Sequence, residues 1–222
     1  MRGGYRGVVF DMDGVLADSE PVYHEAENAI LDKYGVVVTD EQQRAITGFG
    51  VFETWDAIAK MHHLDVPLNE LIKDYDDDLR SRLAKLTQPL PGVQELLANL
   101  RALGIPIGLA SSSWPAWIDA LLGGLGLQDA FDVKASATMV EHPKPAPDIY
   151  ILAAGQLGVA PRECIGIEDT PTGLKAVRSA GMLAVQVRSA STAFEPQSDA
   201  DLVLASLLDF DLTLLDAADS RD

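Results

Sequence analysis

Residues 8–18, VVFDMDGVLAD, place two aspartates one residue apart directly behind an apolar run. Val8, Val9 and Phe10 read as a strand buried on both faces. Alternate side chains of an extended chain share a face, so Asp11 and Asp13 can point the same way while Met12 points opposite. Gly14 then permits a sharp turn out of the sheet. Two adjacent carboxylates repel each other. Such a pair persists where a cation lies between them or where one stays protonated. Both conditions suit metal-assisted phosphoryl transfer, with one carboxylate as nucleophile and its neighbour as acid/base. Taken alone, the pair fits two solvated turn aspartates better; the later parts of the chain shift the balance.

Three further groups could serve the same chemistry. Ser111, Ser112 and Ser113 end a second apolar run. Hydroxyls and free N–H groups at a helix start cradle phosphate, and they also cap helices. Lys144 lies in HPKPAP. Prolines on both sides hold that segment extended, where a lysine can neutralise a nucleophile and a phosphate together or simply face solvent. Glu168 and Asp169 follow the apolar run CIGI. Asp169 fits a helix cap, and the adjacent pair of oxygen donors fits Mg²⁺.

The elements that must position these residues alternate. Apolar runs near 105–110, 131–136, 164–167 and 182–187 read as strands. Between them, residues 93–103, 115–125, 147–157 and 171–180 read as helices. Strand–helix alternation predicts an α/β fold: a Rossmann-like parallel sheet with helices on both faces, functional at the carboxyl ends of its strands. Residues 19–86 interrupt the alternation. Ser19 reads as the N-cap of a helix ending before Gly35, and 40–86 stay helix-like with breaks near Gly48–Gly50 and Pro67. The organisation is therefore discontinuous: 1–16 and 88–222 form the core, and 17–87 an inserted α-helical cap, rejoined through the Pro-rich connector 87–92. A short strand near 201–204 and a terminal helix are expected last. The acidic run 74–78 reads as a solvated helix face.

With 34 Asp and Glu against 17 Lys and Arg, the formal net charge is −17, which opposes binding to nucleic acid or to an anionic membrane. A phosphorylated substrate must therefore meet a local positive site. No apolar run reaches membrane-span length, and MRGGYRG leads straight into the first strand, so neither a span nor a signal peptide is expected. The single cysteine, Cys164, reads as core and fits a reducing, cytoplasmic compartment.

Order and spacing together carry a resemblance. DMDGVLADSEP, LASSS, KPAPDIY and GIEDTPTGLKAVRSAGM resemble the four motifs of the haloacid dehalogenase superfamily, in the branch of β-phosphoglucomutase and small sugar-phosphate phosphatases. The resemblance implies a Mg²⁺-dependent phosphatase acting on a small phosphomonoester through an aspartyl-phosphate. Asp11 would be the nucleophile and Asp13 the acid/base. Ser111, with Ser112 nearby, would hold phosphoryl oxygens, and Lys144 would balance charge. Mg²⁺ would be bound by Asp11, the Asp13 carbonyl and Asp169, with Glu168 a direct or water-linked contributor. Dehalogenases of the superfamily generally lack the second aspartate, so Asp13 favours phosphoryl transfer. The branch's members are often monomers, and a monomer is expected. A phosphomutase is the alternative, and a catalytically silent binding protein of the same fold a more distant one. A mutase must grip a second phosphate, for which the family uses a cap arginine and a Lys–Asn pair after the serine motif. Here Trp114 and Pro115 follow Ser113, and 45–59 contain no Arg or Lys. Phe49, Phe52 and Trp55 stand there instead, fit for a pocket or for packing. His24, Glu25, Lys60, His62 and His63 are read as solvent-facing, with substrate contact the other option.

Overall fold

The computed structural model describes residues 4–46, 50–191 and 193–216. Six parallel strands form one sheet in the order β3-β2-β1-β4-β5-β6: β1 Gly7–Phe10, β2 Ile107–Ser111, β3 Val133–Ser136, β4 Cys164–Glu168, β5 Leu183–Val187 and β6 Leu202–Leu204. Strand order reverses between β1 and β4, so the carboxyl ends of those two strands form the switch point where such sheets bind ligands. β1 is central, with Val8 opposite Ile107 on one side and Ile165 on the other. Its residues alternate between layers. Val8 and Phe10 join the larger apolar cluster with α5 (Val93–Ala102) and α6 (Pro115–Leu125). Val9 joins the cluster of α7 (Asp148–Leu157) and α8 (Pro171–Ser179) on the opposite face. Period-two alternation in a strand buried on both sides thus produces the expected three-layer architecture.

Among the described residues, four helices lie between β1 and α5: α1 Glu20–Lys33, α2 Asp40–Ile46, α3 Val51–Met61 and α4 Leu68–Leu83. They form the inserted cap. The chain leaves and returns at one place, where the Leu90 N–H donates to the Leu16 carbonyl at 2.9 Å. Helix α4 packs against α1 and α3 within the cap and against α6 of the core. Its apolar stripe, Leu71, Tyr75, Leu79 and Leu83, is buried at helical spacing. No helix among the described residues is long and apolar enough to cross a membrane.

One expectation changes. After β6 the described chain forms only 3₁₀ turns at Leu207–Asp209 and Leu212–Leu214, not a terminal helix. Ser206 and Asp209 cap the first turn reciprocally and Asp211 caps the second, so local side chains take the backbone donors a longer helix would use. Of the aromatic residues at 49–55, Trp55 lies on helix α3 buried against Tyr75, while Phe52 on the same helix is exposed. Phe49 lies outside the described residues. The acidic run also does more than face solvent. Asp74 pairs with Lys33, Asp77 with Lys73 and Asp78 with Arg82, while Tyr75 is buried.

Candidate active site

Asp11 follows the last residue of β1, Ser111 ends β2 and Glu168 ends β4, so three neighbouring strands deliver side chains to one rim. Lys144 enters from the loop before α7. Its Nζ lies 2.6 Å from Asp11 Oδ1, 2.7 Å from Glu168 Oε1 and 3.1 Å from the Ala110 carbonyl. An ammonium has three protons, and three acceptors take them. The pair is buried, and the Lys144 pKa is held well above its ordinary value because Asp11 and Glu168 outweigh the penalty of burial.

Asp11, Glu168 and Asp169 converge, with one oxygen of each within 4.8 Å of the others. Burial, reinforced by its acidic neighbours, pushes Asp11 up to about 7 in spite of Lys144. Asp169 is pushed up to about 9 by burial and by the charges of Asp11 and Glu168. Its Oδ1 is buried with no hydrogen-bond partner. Gly14, at φ +75°, sets how close this carboxylate comes, because a Cβ there would overlap Asp169 Oδ2. Crowded, buried carboxylates with an orphaned oxygen fit a hard divalent cation.

Glu168 differs from its two neighbours. Burial alone would raise it, but Lys144 and Thr170 overcome that and hold it below the ordinary carboxylate range. One oxygen accepts from Lys144 and Tyr150, the other from the Asp169 and Thr170 N–H groups and the Thr170 hydroxyl. It anchors the lysine and the turn into α8. A Cβ on Gly173 would occupy its position.

Asp13 turns away from this cluster toward hydroxyls. Ser19 Oγ donates to its Oδ1 at 2.5 Å, and Ser113 Oγ donates to its Oδ2 at 3.1 Å. Burial nevertheless raises its pKa, which favours its protonated form. Ser19 does occupy the N-cap position of α1, but its side chain makes no cap bond because it serves Asp13. The three serines divide. Ser111 is buried and accepts from the Ser113 N–H, Ser112 is exposed, and Ser113 faces Asp13. Sequence reasoning gave Ser19 and Ser113 other duties and gave Tyr23 and Tyr150 none. Only the hydroxyl-bearing residue types signalled them. Of the residues read as solvent-facing, His24 contacts Glu20 and Glu27 on its own helix, Glu25 pairs with Arg82, and Lys60 pairs with Asp56. His62 and His63 follow α3 directly.

A cavity of about 270 Å³ opens beside Asp13 and Asp169 and is also lined by Asp18, Glu20 and Phe194. Cys164 is buried on β4, and burial pushes its thiol up to about 11, leaving it inert core.

Fold and site together define an acid-rich centre at the switch point of a Rossmann-like sheet, beneath a helical cap. The haloacid dehalogenase-like hydrolase family matches residues 5–181, and the chain belongs to it. It is 35% identical over 184 residues to the fructose-1-phosphate phosphatase YqaB of Escherichia coli, covering 83% of this chain and 97% of that one. It is 33% identical over 217 residues to the β-phosphoglucomutase of Bacillus subtilis, covering 95% and 93%. Among solved structures, a mutant of CbbY of Rhodobacter sphaeroides in complex with xylulose-(1,5)bisphosphate superposes with a TM-score of 0.81 at 27% identity, covering 96% and 99%.

Proposed function

We propose that this chain is a Mg²⁺-dependent phosphatase that hydrolyses a small phosphorylated sugar through an aspartyl-phosphate on Asp11. The observation that carries the reading is the Lys144 ammonium seated between Asp11 and Glu168, beside an Asp169 carboxylate with an unpartnered oxygen. Asp11 attacks phosphorus, and the leaving alkoxide departs with a proton from Asp13. Asp13, now ionised and steadied by Ser19 and Ser113, then takes a proton from the water that opens the acyl phosphate. Lys144 keeps the nucleophile ionised and offsets the phosphoryl charge. Ser111 and the exposed N-terminal end of α6, with Ser112, receive phosphoryl oxygens. Asp11, Asp169 and the Asp13 carbonyl would hold Mg²⁺, with Glu168 behind them, and the bound ion supplies fixed positive charge against the transferring group. The cap shields the site from water and selects the substrate.

A sugar-phosphate substrate is supported by the relatives, which include the hexitol phosphatase B of Escherichia coli as well as the fructose-1-phosphate phosphatase. Phosphatase is favoured over mutase because Asp18, Glu20 and Phe194 bound the cavity beside Asp13, a poor setting for a second phosphate. The test is a panel of sugar phosphates, including fructose 1-phosphate, assayed for phosphate release with and without Mg²⁺, wild type beside Asp11→Asn. Release that needs Mg²⁺ and vanishes in Asp11→Asn supports the proposal. Isomerisation of β-glucose 1-phosphate without phosphate release, or full activity in Asp11→Asn, overturns it.

A further inference from the structure

Trp117 belongs to α6 of the core, yet it is the residue on which the cap and the acid/base both lean. It is buried, and its Nε1 donates to Asp76 Oδ1 on cap helix α4 at 2.7 Å. Arg80 on the same helix holds that carboxylate from its other oxygen. The indole also meets two cap aromatics edge-on, Tyr75 at 6.0 Å and Tyr23 at 6.1 Å between ring centroids. Tyr23 lies on α1, and its hydroxyl sits 2.8 Å from Ser113 Oγ. Ser113 has one hydroxyl proton. Giving it to Asp13 leaves the Ser113 oxygen to accept from Tyr23, so the hydrogen bonds run Tyr23 to Ser113 to Asp13. The direct Tyr23 to Asp13 separation, 3.5 Å, is long, so Ser113 carries the contact. When Asp13 holds its catalytic proton, the same chain can run in reverse.

We infer that Trp117 is a positioning residue: by tying α4 through Asp76 and buttressing the Tyr23 ring, it fixes the cap where Tyr23 and Ser113 aim Asp13 at the leaving group. This rests on the role proposed above for Asp13. An indole N–H on a carboxylate is a directional tie, and the two edge-on ring contacts fix how α1 and α4 sit against α6. A core helix and two cap helices therefore share one contact point, and its output is the orientation of a carboxylate that Trp117 does not touch.

The readout separates proton donation from general damage. An alkyl phosphate needs an acid for its leaving alkoxide, whereas 4-nitrophenyl phosphate releases a phenolate that needs almost none. kcat/KM reports the step that expels the leaving group, so it is measured for fructose 1-phosphate and 4-nitrophenyl phosphate. Trp117→Phe keeps a ring and loses the N–H, and Asp76→Ala removes the acceptor from the cap side while leaving the indole in place. We expect each to lower kcat/KM for the alkyl substrate at least tenfold and for the aryl substrate less than threefold. The double variant should be no worse than either single one. Should Trp117→Phe fail to fold, Asp76→Ala decides. Asp13→Asn sets the scale. If it shows the alkyl–aryl split and the Trp117 and Asp76 variants lower both substrates alike, the inference is overturned while the proposed function stands. If Asp13→Asn shows no split, the acid assignment falls and the inference falls with it. Additive losses in the double variant also overturn it.

Discussion

Replacing Lys144 by Met removes the ammonium and keeps most of the side-chain volume. In the wild type that ammonium meets two buried carboxylates at 2.6 and 2.7 Å. Removing one partner of a buried ion pair costs about 3–5 kcal/mol, because the remaining charge stays buried and uncompensated. For a chain of this length each kcal/mol moves Tm by about 2–4 °C, so the melt should fall by roughly 6–20 °C. The penalty must also depend on pH. Asp11 already has a raised pKa, about 7 against an ordinary 3.8. The folded state therefore holds a proton that the unfolded chain has released, and stability declines as pH rises across that interval. Without Lys144 Asp11 moves further up, and Glu168, losing the cation that now holds it low, rises as well. Each pH unit then costs about 1.4 kcal/mol per carboxylate that folding must protonate. Melts of wild type and Lys144→Met in EDTA, at pH 5.5 and 8.5, measure this without any bound ion. The drop should be several-fold larger at pH 8.5. An equal drop at both pH values, or one below 2 °C at pH 8.5, refutes the reasoning.

The remaining predictions concern the ion and the turn that admits Asp169. Mg²⁺ should raise Tm over an EDTA control by more at pH 8.5 than at pH 5.5. Asp11 at about 7 and Asp169 at about 9 hold protons that the cation must displace at lower pH, so a pH-independent increment counts against ligation by this pair. Gly14→Ala and Gly181→Ala both force a Cβ onto a left-handed backbone, φ +75° and +81°, for a cost of about 1–2 kcal/mol each. A Cβ on Gly181 meets open space and one on Gly14 meets Asp169, so only Gly14→Ala should also lose the Mg²⁺-dependent Tm increment. Equal retention of that increment in both variants would count against the close approach.

Most of the sheet was legible because burial on both faces leaves an unmistakable mark. CIGI and LAVQV contain no charged residue, and both are strands. The convergence of Asp11, Ser111 and Lys144 was legible for a related reason: in a parallel sheet, strands that alternate with helices end on one rim. What could not be read was the division of labour among hydroxyls. Ser19 and Ser113 each sit at a helix start, where a cap is the ordinary local use of a serine. Their actual acceptor is Asp13, which lies 100 residues from Ser113 along the chain. No pattern along the sequence encodes a contact of that separation. Within the described residues the expected terminal helix gives way to 3₁₀ turns for the opposite reason, since Ser206, Asp209 and Asp211 satisfy the backbone locally.

The acidic run 74–78 reads as a solvated helix face, and the structure adds which partner each aspartate takes. A helix carrying four aspartates in five residues must solvate or pair most of them, and Lys33, Lys73 and Arg82 take three. Helical spacing then turns the fourth, Asp76, toward α6, where Trp117 offers an N–H. The charge excess bears on the site in the same way. Four carboxylates, Asp11, Asp13, Glu168 and Asp169, share the rim, and of these Lys144 pairs with Asp11 and Glu168 alone. Burial pushes three of the four toward protonation, and only Glu168, with both oxygens saturated by donors, is held low. Under the proposed function, a divalent cation would offset Asp11 and Asp169 while Asp13 keeps its proton, so that an anionic phosphoryl group can be bound. That protonation state is also the one the proposed acid needs in order to release the leaving alcohol.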